Sequence, residues 1–463
     1  MPRKSIGARR VRLDPTSPTI AMRPIRFALV LLAAAGTVAV ATARPFEPVA
    51  RQEPSDSPAT DEDPKVTRER RVGLSSEIAA QLADAKIDEH RRHLLELAGV
   101  IADKIPERPQ AKDRALTQQI VVEAALDLDQ MRFADQRSQR IGNWRRGLAW
   151  SHLAYAAADH GRTEIAQEYA RAAAVLADDL AAWLSEYETP QDWRRDRIRG
   201  RVGQTYARLG DLDTAAGFVV DAEASEAGKV AIVVSAHAPI DDYEERLAYM
   251  KATLPTVGFD AARDALSAAI ELFGRFHADP ERRDAIAAVT REGWAKMPID
   301  MRVWAMAKLA EKCIEHADFA GALAWIAEAR VASAGGNWRA SFRIPVDAQL
   351  VGLAHRAGDV ERARAEAEAL RTLYDTQREA IVNIDRADAL VPLAEAHVIM
   401  GDLETAQKLY RRAIDEALVN PNSKPRAIDL VDIAVSLATV ELPANAELLA
   451  HLREAAGKLS DPW

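Results

Sequence analysis

Apolar residues recur at intervals of three and four along most of the chain after residue 74, the spacing that places them on one side of an α-helix. The plainest example is residues 390–414, where one apolar run ends at Gly401 and another begins after Asp402. Glycine accepts the positive φ at which helices commonly end, and aspartate caps the helix that follows. The pattern predicts two helices joined by a tight turn.

Similar helix–turn–helix patterns precede this one, and alanine dominates the positions where the two helices of each pair would meet. Their predicted turns lie near Gly161, Gly210, Gly258, Asp318 and Gly358. Successive turns are roughly 40 to 60 residues apart. A regular recurrence of this kind is the signature of a helical repeat protein.

The pattern Gly-Asp-x-x-x-Ala at positions 210, 358 and 401 resembles the turn of tetratricopeptide repeats. Gly203 and Tyr206 also match the small residue and the aromatic of that family's first helix. The repeat length is closer to the 40–47 residues of armadillo and HEAT repeats than to the usual 34. The resemblance covers about two thirds of the chain and implies an all-α fold, a right-handed solenoid of antiparallel helix hairpins.

The chain divides into five predicted regions. These are an N-terminal extension with a signal peptide (1–43), a disordered linker rich in proline and acids (44–73), an N-terminal helical cap (74–141), a first repeat block (142–297), and a second repeat block with a C-terminal cap hairpin (298–463). Within the cap we expect helices over 76–105 and about 114–136. Within the first block, 243–253 should pair with 259–276, and Asp279-Pro280 should open an extra helix.

Residues 22–43 have the pattern of a secretory signal. Arg23 and Arg26 precede an apolar run of 14 residues, and a small-x-small cleavage pattern ends at Ala43. The run is shorter than the roughly 20 residues that span a bilayer. We therefore expect export and cleavage after Ala43, to the periplasm or the medium. An uncleaved membrane anchor is the alternative, and Met22 competes with Met1 as the initiator.

The net charge argues against nucleic-acid binding. The chain carries −9 overall, but its first 43 residues carry +6, so the remainder carries −15. A protein region with this much negative charge would repel the phosphate backbone of a nucleic acid. The only membrane contact that the sequence predicts is through an uncleaved signal segment.

No residue pattern indicates catalysis or a bound cofactor. His90 and His93 lie one helical turn apart, but no third metal ligand accompanies them. Cys313, the only cysteine, falls on a packing face and is interpreted as a small apolar filler. There is no recognisable nucleophile turn and no glycine-rich phosphate loop. The sequence therefore predicts a non-enzymatic protein without a metal site.

Tryptophan–arginine pairs occur in register with the repeats. Trp144-Arg145 and Trp193-Arg194 each lie 17 residues before a predicted glycine turn, counted from the tryptophan. A row of stacking sites for a ligand is one interpretation. Packing between adjacent repeats is favoured, because recurrence in register is what packing requires.

The tetratricopeptide resemblance implies a groove, lined by the first helix of each hairpin, that accepts a partner protein or peptide. Carried onto this chain, the groove positions are Tyr155, Asp159, Gln204, Arg208, Glu311, Glu315, His355, Arg356 and Glu395. The predicted function is an exported, non-catalytic scaffold for protein–protein interaction in the cell envelope. An all-helical toroid enzyme acting on envelope polysaccharide and a self-assembling structural protein are the alternatives.

Overall fold

The computed structural model describes residues 74–184, 191–220, 222, 230, 234, 243–254, 259–294 and 297–463. Regular structure in these residues is helical, apart from one isolated antiparallel bridge between Asp84 and Gln130. The predicted signal segment, the linker and Gly258 lie outside the described residues. No described helix is both long and apolar enough to cross a membrane.

The described residues form nineteen α-helices. They are α1 (Ser76–Ala80), α2 (Glu89–Lys104), α3 (Ala111–Asp127), α4 (Met131–Ser138), α5 (Arg145–Asp159), α6 (Thr163–Asp178), α7 (Asp192–Arg208), α8 (Leu212–Gly217), α9 (Tyr243–Thr253), α10 (Phe259–Arg275), α11 (Pro280–Trp294), α12 (Ile299–Glu315), α13 (Phe319–Ala334), α14 (Ala340–Arg356), α15 (Val360–Gln377), α16 (Asn383–Ile399), α17 (Leu403–Val419), α18 (Ser423–Thr439) and α19 (Ala446–Gly457). Short 3₁₀ turns follow α6 and α15.

Neighbouring helices pack as antiparallel hairpins, so the predicted all-α array is confirmed. The closest pairs are α5 with α6, α12 with α13, and α16 with α17. Gly161, Gly210, Gly358 and Gly401 all have positive φ at the predicted turns. At the remaining described turn Ala317 takes this conformation, with φ 58°, immediately before the capping Asp318.

Two details differ from the sequence-based expectation. The two long helices expected in the N-terminal region are each broken, at residues 81–88 and near Asp129, whose φ is 56°. The helix expected as an extra element, α11, is the main hairpin partner of α10, which contacts α9 less extensively. Hydrophobic periodicity identified these helices but could not show which neighbouring helix each one packs against.

The tryptophan–arginine pairs are packing elements, as the sequence analysis favoured. The rings of Trp144 and Trp193 meet edge to face with centroids 5.4 Å apart. Trp144 is only 1% exposed, and the guanidinium of Arg194 lies 5.7 Å from its ring centroid. These residues join α5 to α7, with Trp144 buried and Trp193 half-buried.

The two ends of the array pack against each other. Helix α18 packs along α2 as closely as the two helices of a hairpin pack on one another, and it contacts α3 less extensively. Leu94 and Ile101 of α2 and Leu430 and Ile433 of α18 are fully buried. Each such side chain contributes about 1.5–3 kcal/mol relative to an exposed one.

Polar contacts also join the ends. The side chain of Arg91 donates to the carbonyl of Val440 at 2.8 Å, and that of Lys104 donates to the carbonyl of Ala456 at 2.7 Å. Lys424 Nζ lies 3.1 Å from Asp113 Oδ2. The expected terminal caps therefore cover each other's apolar faces.

A double-mutant cycle between Lys424→Met and Asp113→Asn should reveal this contact between residues 311 positions apart. Because each side chain is about one third exposed, we expect a coupling free energy of about 0.2–0.5 kcal/mol in urea unfolding. The same cycle between Lys424→Met and Asp300→Asn should give none. Equal values in the two cycles would contradict an interaction between Lys424 and Asp113.

Candidate functional site

The first helices of successive hairpins lie side by side from α3 to α7 and from α10 to α18, and we call the faces that they expose the first-helix surface. Its described members are α3, α5, α7, α10, α12, α14, α16 and α18. In α16 the apolar face, with Leu390 and Leu393, is buried against neighbouring helices. Asp388 and Glu395 lie on the opposite, more accessible face.

All nine predicted groove residues lie on these helices. Tyr155 and Asp159 are on α5, Gln204 and Arg208 on α7, Glu311 and Glu315 on α12, His355 and Arg356 at the end of α14, and Glu395 on α16. Most of them contact other residues of the same surface.

Between α5 and α7 the predicted residues bind each other. Arg208 Nε lies 2.5 Å from Asp159 Oδ1. The guanidinium of Arg201, a residue that the sequence analysis did not select, lies 3.9 Å from the ring centroid of Tyr155 and donates to Gln204 Oε1 at 2.5 Å. Burial lowers the pKa of Arg201, and Tyr155 and Asp159 oppose that shift.

The same kind of contact continues along α10, α12 and α14. Lys312 Nζ lies 3.1 Å from Glu271 of α10 and 3.3 Å from Glu315. Glu311 is 8% exposed and 2.6 Å from Lys308 Nζ. Its carboxylate is therefore satisfied within the fold and is poorly placed to meet a partner.

At the far end, Glu395 accepts a hydrogen bond from the Ser436 hydroxyl of α18 at 2.6 Å. His355 is half-buried, and burial, with Arg364 nearby, lowers its pKa. Arg356 is also half-buried. The predicted groove positions thus form a polar band that links successive helices, instead of a row of unengaged contact residues.

One part of the first-helix surface is different in charge. Asp385 and Asp388 of α16 lie near Asp429 and Asp432 of α18, and we call these four residues the aspartate cluster. No described basic side chain forms an ion pair with Asp388. Asp429 is 4% exposed, and its Oδ2 has no hydrogen-bond partner among the described residues.

The aspartate cluster shifts the pKa values of its members. The Asp388 side chain is accessible to solvent. Desolvation by the surrounding protein raises its pKa to about 6, and the charge of Asp385 adds to the rise. Burial, followed by the charges of Asp388, Asp432 and Asp385, raises the pKa of Asp429 well above its usual range. Like charges and desolvation both favour the neutral carboxyl. A cationic group bound here would reverse these shifts.

The described residues that could hold a metal are not the ones considered from sequence. His93 Nε2 lies 3.8 Å from Glu89, and no ligand set of three forms around it in the described chain. His277, Cys313 and Asp318, in contrast, each place a possible ligand atom within 4.8 Å of the other two. Cys313 is 1% exposed, as expected for a packing residue, and burial raises the pKa of its thiol to about 12. Without a metal it is a poor nucleophile at neutral pH.

Replacing Asp388 by Asn should change the pH dependence of stability. An aspartate whose pKa is raised to about 6 binds more protons in the folded than in the unfolded state between pH 4 and 6, so its contribution to stability falls as pH rises through that window. The asparagine variant should therefore gain more in melting temperature, relative to the unmodified protein, at pH 7.5 than at pH 5. Glu441→Gln, in an exposed loop, is the control and should change the melting temperature equally at pH 7.5 and at pH 5. A pH-independent effect of Asp388→Asn would contradict the raised pKa.

Comparisons with known proteins leave the family open. No family model matches the chain, and no curated protein matches it. Among solved structures it is similar to one described as "Circular tandem repeat protein with novel repeat topology and enhanced subunit contact surfaces". That match has 15% sequence identity, covers 85% of this chain and 96% of the other, and has a TM-score of 0.23. At that score the likeness supports no argument about this chain.

Proposed function

We propose that this protein is an exported helical-repeat scaffold that binds a partner protein in the cell envelope, and that the aspartate cluster receives a basic segment of that partner. The observation that carries the proposal is the unequal distribution of charge compensation on the first-helix surface. Arg208, Glu311 and Glu315 contact opposite charges of the protein itself. Asp388 does not, among the described residues.

Asp388 forms no ion pair with a described basic side chain, so a lysine or arginine of a partner could supply its counter-charge. Placing several carboxyls together raises their pKa values, and an opposite charge within about 4–6 Å would stabilise the ionised forms. Complementary charge of this kind gives a protein interface its specificity and speeds association. A basic peptide segment supplies several such groups along an extended chain.

Two features of the sequence support the rest of the proposal. The pattern of residues 22–43 favours export. The Gly-Asp-x-x-x-Ala turns at 210, 358 and 401 resemble tetratricopeptide repeats, which present their first helices to partners. Self-assembly through the ends of the array is less favoured, because α2 and α18 already cover each other.

A second candidate is the toroid enzyme acting on envelope polysaccharide. The observation in its favour is again the aspartate cluster, since glycoside hydrolases use two carboxyls, one of them with a raised pKa as the general acid. Asp388, with its pKa raised to about 6, would be that acid. The contact between α2 and α18 also suits a closed helical barrel.

The binding proposal can be tested with the full chain and a labelled peptide of alternating lysine and serine. We expect binding that weakens with salt and that is at least about fivefold weaker for Asp388→Asn, because a partner cation loses its counter-charge. Glu441→Gln, an exposed acid outside the aspartate cluster, is the matched control. Equal affinity for a glutamate–serine peptide, or equal loss in the control, would overturn the proposal.

The same variants distinguish the enzyme. Purified full-length protein should leave envelope glycans intact, measured by the release of reducing ends. If it cleaves them, and Asp388→Asn abolishes cleavage while Glu441→Gln does not, the aspartate cluster is a catalytic site and the scaffold proposal is wrong.

A further inference from the structure

Two turns on neighbouring hairpins bring three chemically different side chains together. His277 follows α10, Cys313 lies in the last turn of α12, and Asp318 caps α13. Because α10 and α12 pack side by side, the ends of the two helices are adjacent. The backbone amide of Asp318 donates to the carbonyl of Cys313 at 2.8 Å, which fixes the turn between them.

The capping interaction determines how Asp318 is oriented. Its Oδ1 accepts a hydrogen bond from the Gly321 amide at 2.9 Å. Its Oδ2 lies 3.3 Å from Nε2 of His277. One carboxylate oxygen thus caps α13, and the other faces the histidine.

The three ligand atoms are spaced nearly as a metal ion requires. With the bond lengths of tetrahedral zinc, ligand atoms lie about 3.3–3.6 Å apart. The His277–Asp318 separation of 3.3 Å already has this value, and all three atoms lie within 4.8 Å of one another. A movement of about 1 Å by the thiol would complete the set.

The fold buries one nitrogen of His277 beside the Asp318 carboxylate. The residue is 8% exposed, and its Nε2 is buried without a well-directed hydrogen bond. Its ring is stacked parallel on that of His316, with centroids 4.5 Å apart, and meets Phe273 edge to face. The ring is therefore held firmly, while its Nε2 faces the Asp318 carboxylate without a well-directed hydrogen bond, an arrangement that is costly for a buried polar atom.

We propose that His277, Cys313 and Asp318 bind one Zn²⁺ ion, with water in the fourth position. Nitrogen, sulfur and carboxylate oxygen are the donors that zinc takes in proteins. Cys313 would bind as the thiolate and release its proton to solvent, while His277 would bind through its neutral Nε2. The ion would tie the end of α10 to the turn between α12 and α13.

A second hairpin of the same chain provides a control. There His397 occupies the place of Cys313, five residues before the capping Asp402. His397 Nδ1 lies 3.1 Å from Asp402 Oδ2, but no third ligand joins them among the described residues. This pair should cap its helix without binding a metal.

Untagged full-length protein, freed of metal by a chelator and dialysed against Zn²⁺, should retain one ion per chain by mass spectrometry. Co²⁺ should give the absorption of a thiolate-bound ion. Cys313→Ser should abolish that absorption and weaken Zn²⁺ binding at least tenfold. Asp318→Asn, which keeps a capping side chain, should also weaken Zn²⁺ binding.

His397→Asn is the matched control and should bind as the unmodified protein does, and His316→Ala should keep the one-to-one stoichiometry. Circular dichroism of each variant shows whether the fold is kept. Absence of bound Zn²⁺ at micromolar concentrations, or equal affinity in the folded Cys313→Ser and Asp318→Asn variants, would overturn the proposal.

Discussion

Each hairpin of this protein has apolar residues on more sides than its own two helices can cover. Leu390 and Leu393 of α16, for example, are fully buried, and α16 packs against α14 as well as against its own partner α17. The stability of every hairpin therefore depends on its neighbours, as in other repeat proteins. Such an array leaves two uncovered ends, and here α2 and α18 cover each other.

Side-by-side packing of the first helices also determines the chemistry of their surface. Polar side chains on adjacent helices are close enough to pair, and Asp159 with Arg208 and Glu271 with Lys312 do so. These ion pairs are partly exposed and contribute little to stability. They compensate these four charges, whereas Asp388 forms no ion pair among the described residues.

The turns have a corresponding role at the ends of the hairpins. A residue with positive φ followed by a capping aspartate brings the carboxylate of the cap beside the last turn of the preceding helix. At Asp402 this places a carboxylate beside His397. At Asp318 the carboxylate lies near Cys313 and also near His277, which the neighbouring hairpin supplies. One local motif thus yields a simple cap in one hairpin and a three-ligand cluster in another.

The sequence by itself determined most of the helices and most of their turns. These features depend on residues close together in the chain, as Gly401 and Asp402 show. The resemblance to tetratricopeptide repeats also assigned the nine groove positions to first helices, where they do lie. Glu311 nevertheless lies in an ion pair within the fold, which periodicity could not indicate.

Only the tertiary structure decided which distant residues meet. The pairing of α10 with α11, the contact of α2 with α18, the aspartate cluster and the proximity of His277 to Cys313 all join segments separated by other helices or turns. Such contacts depend on how successive hairpins rotate and stack. That rotation arises from the packing of many side chains at once, so no local spacing in the sequence encodes it.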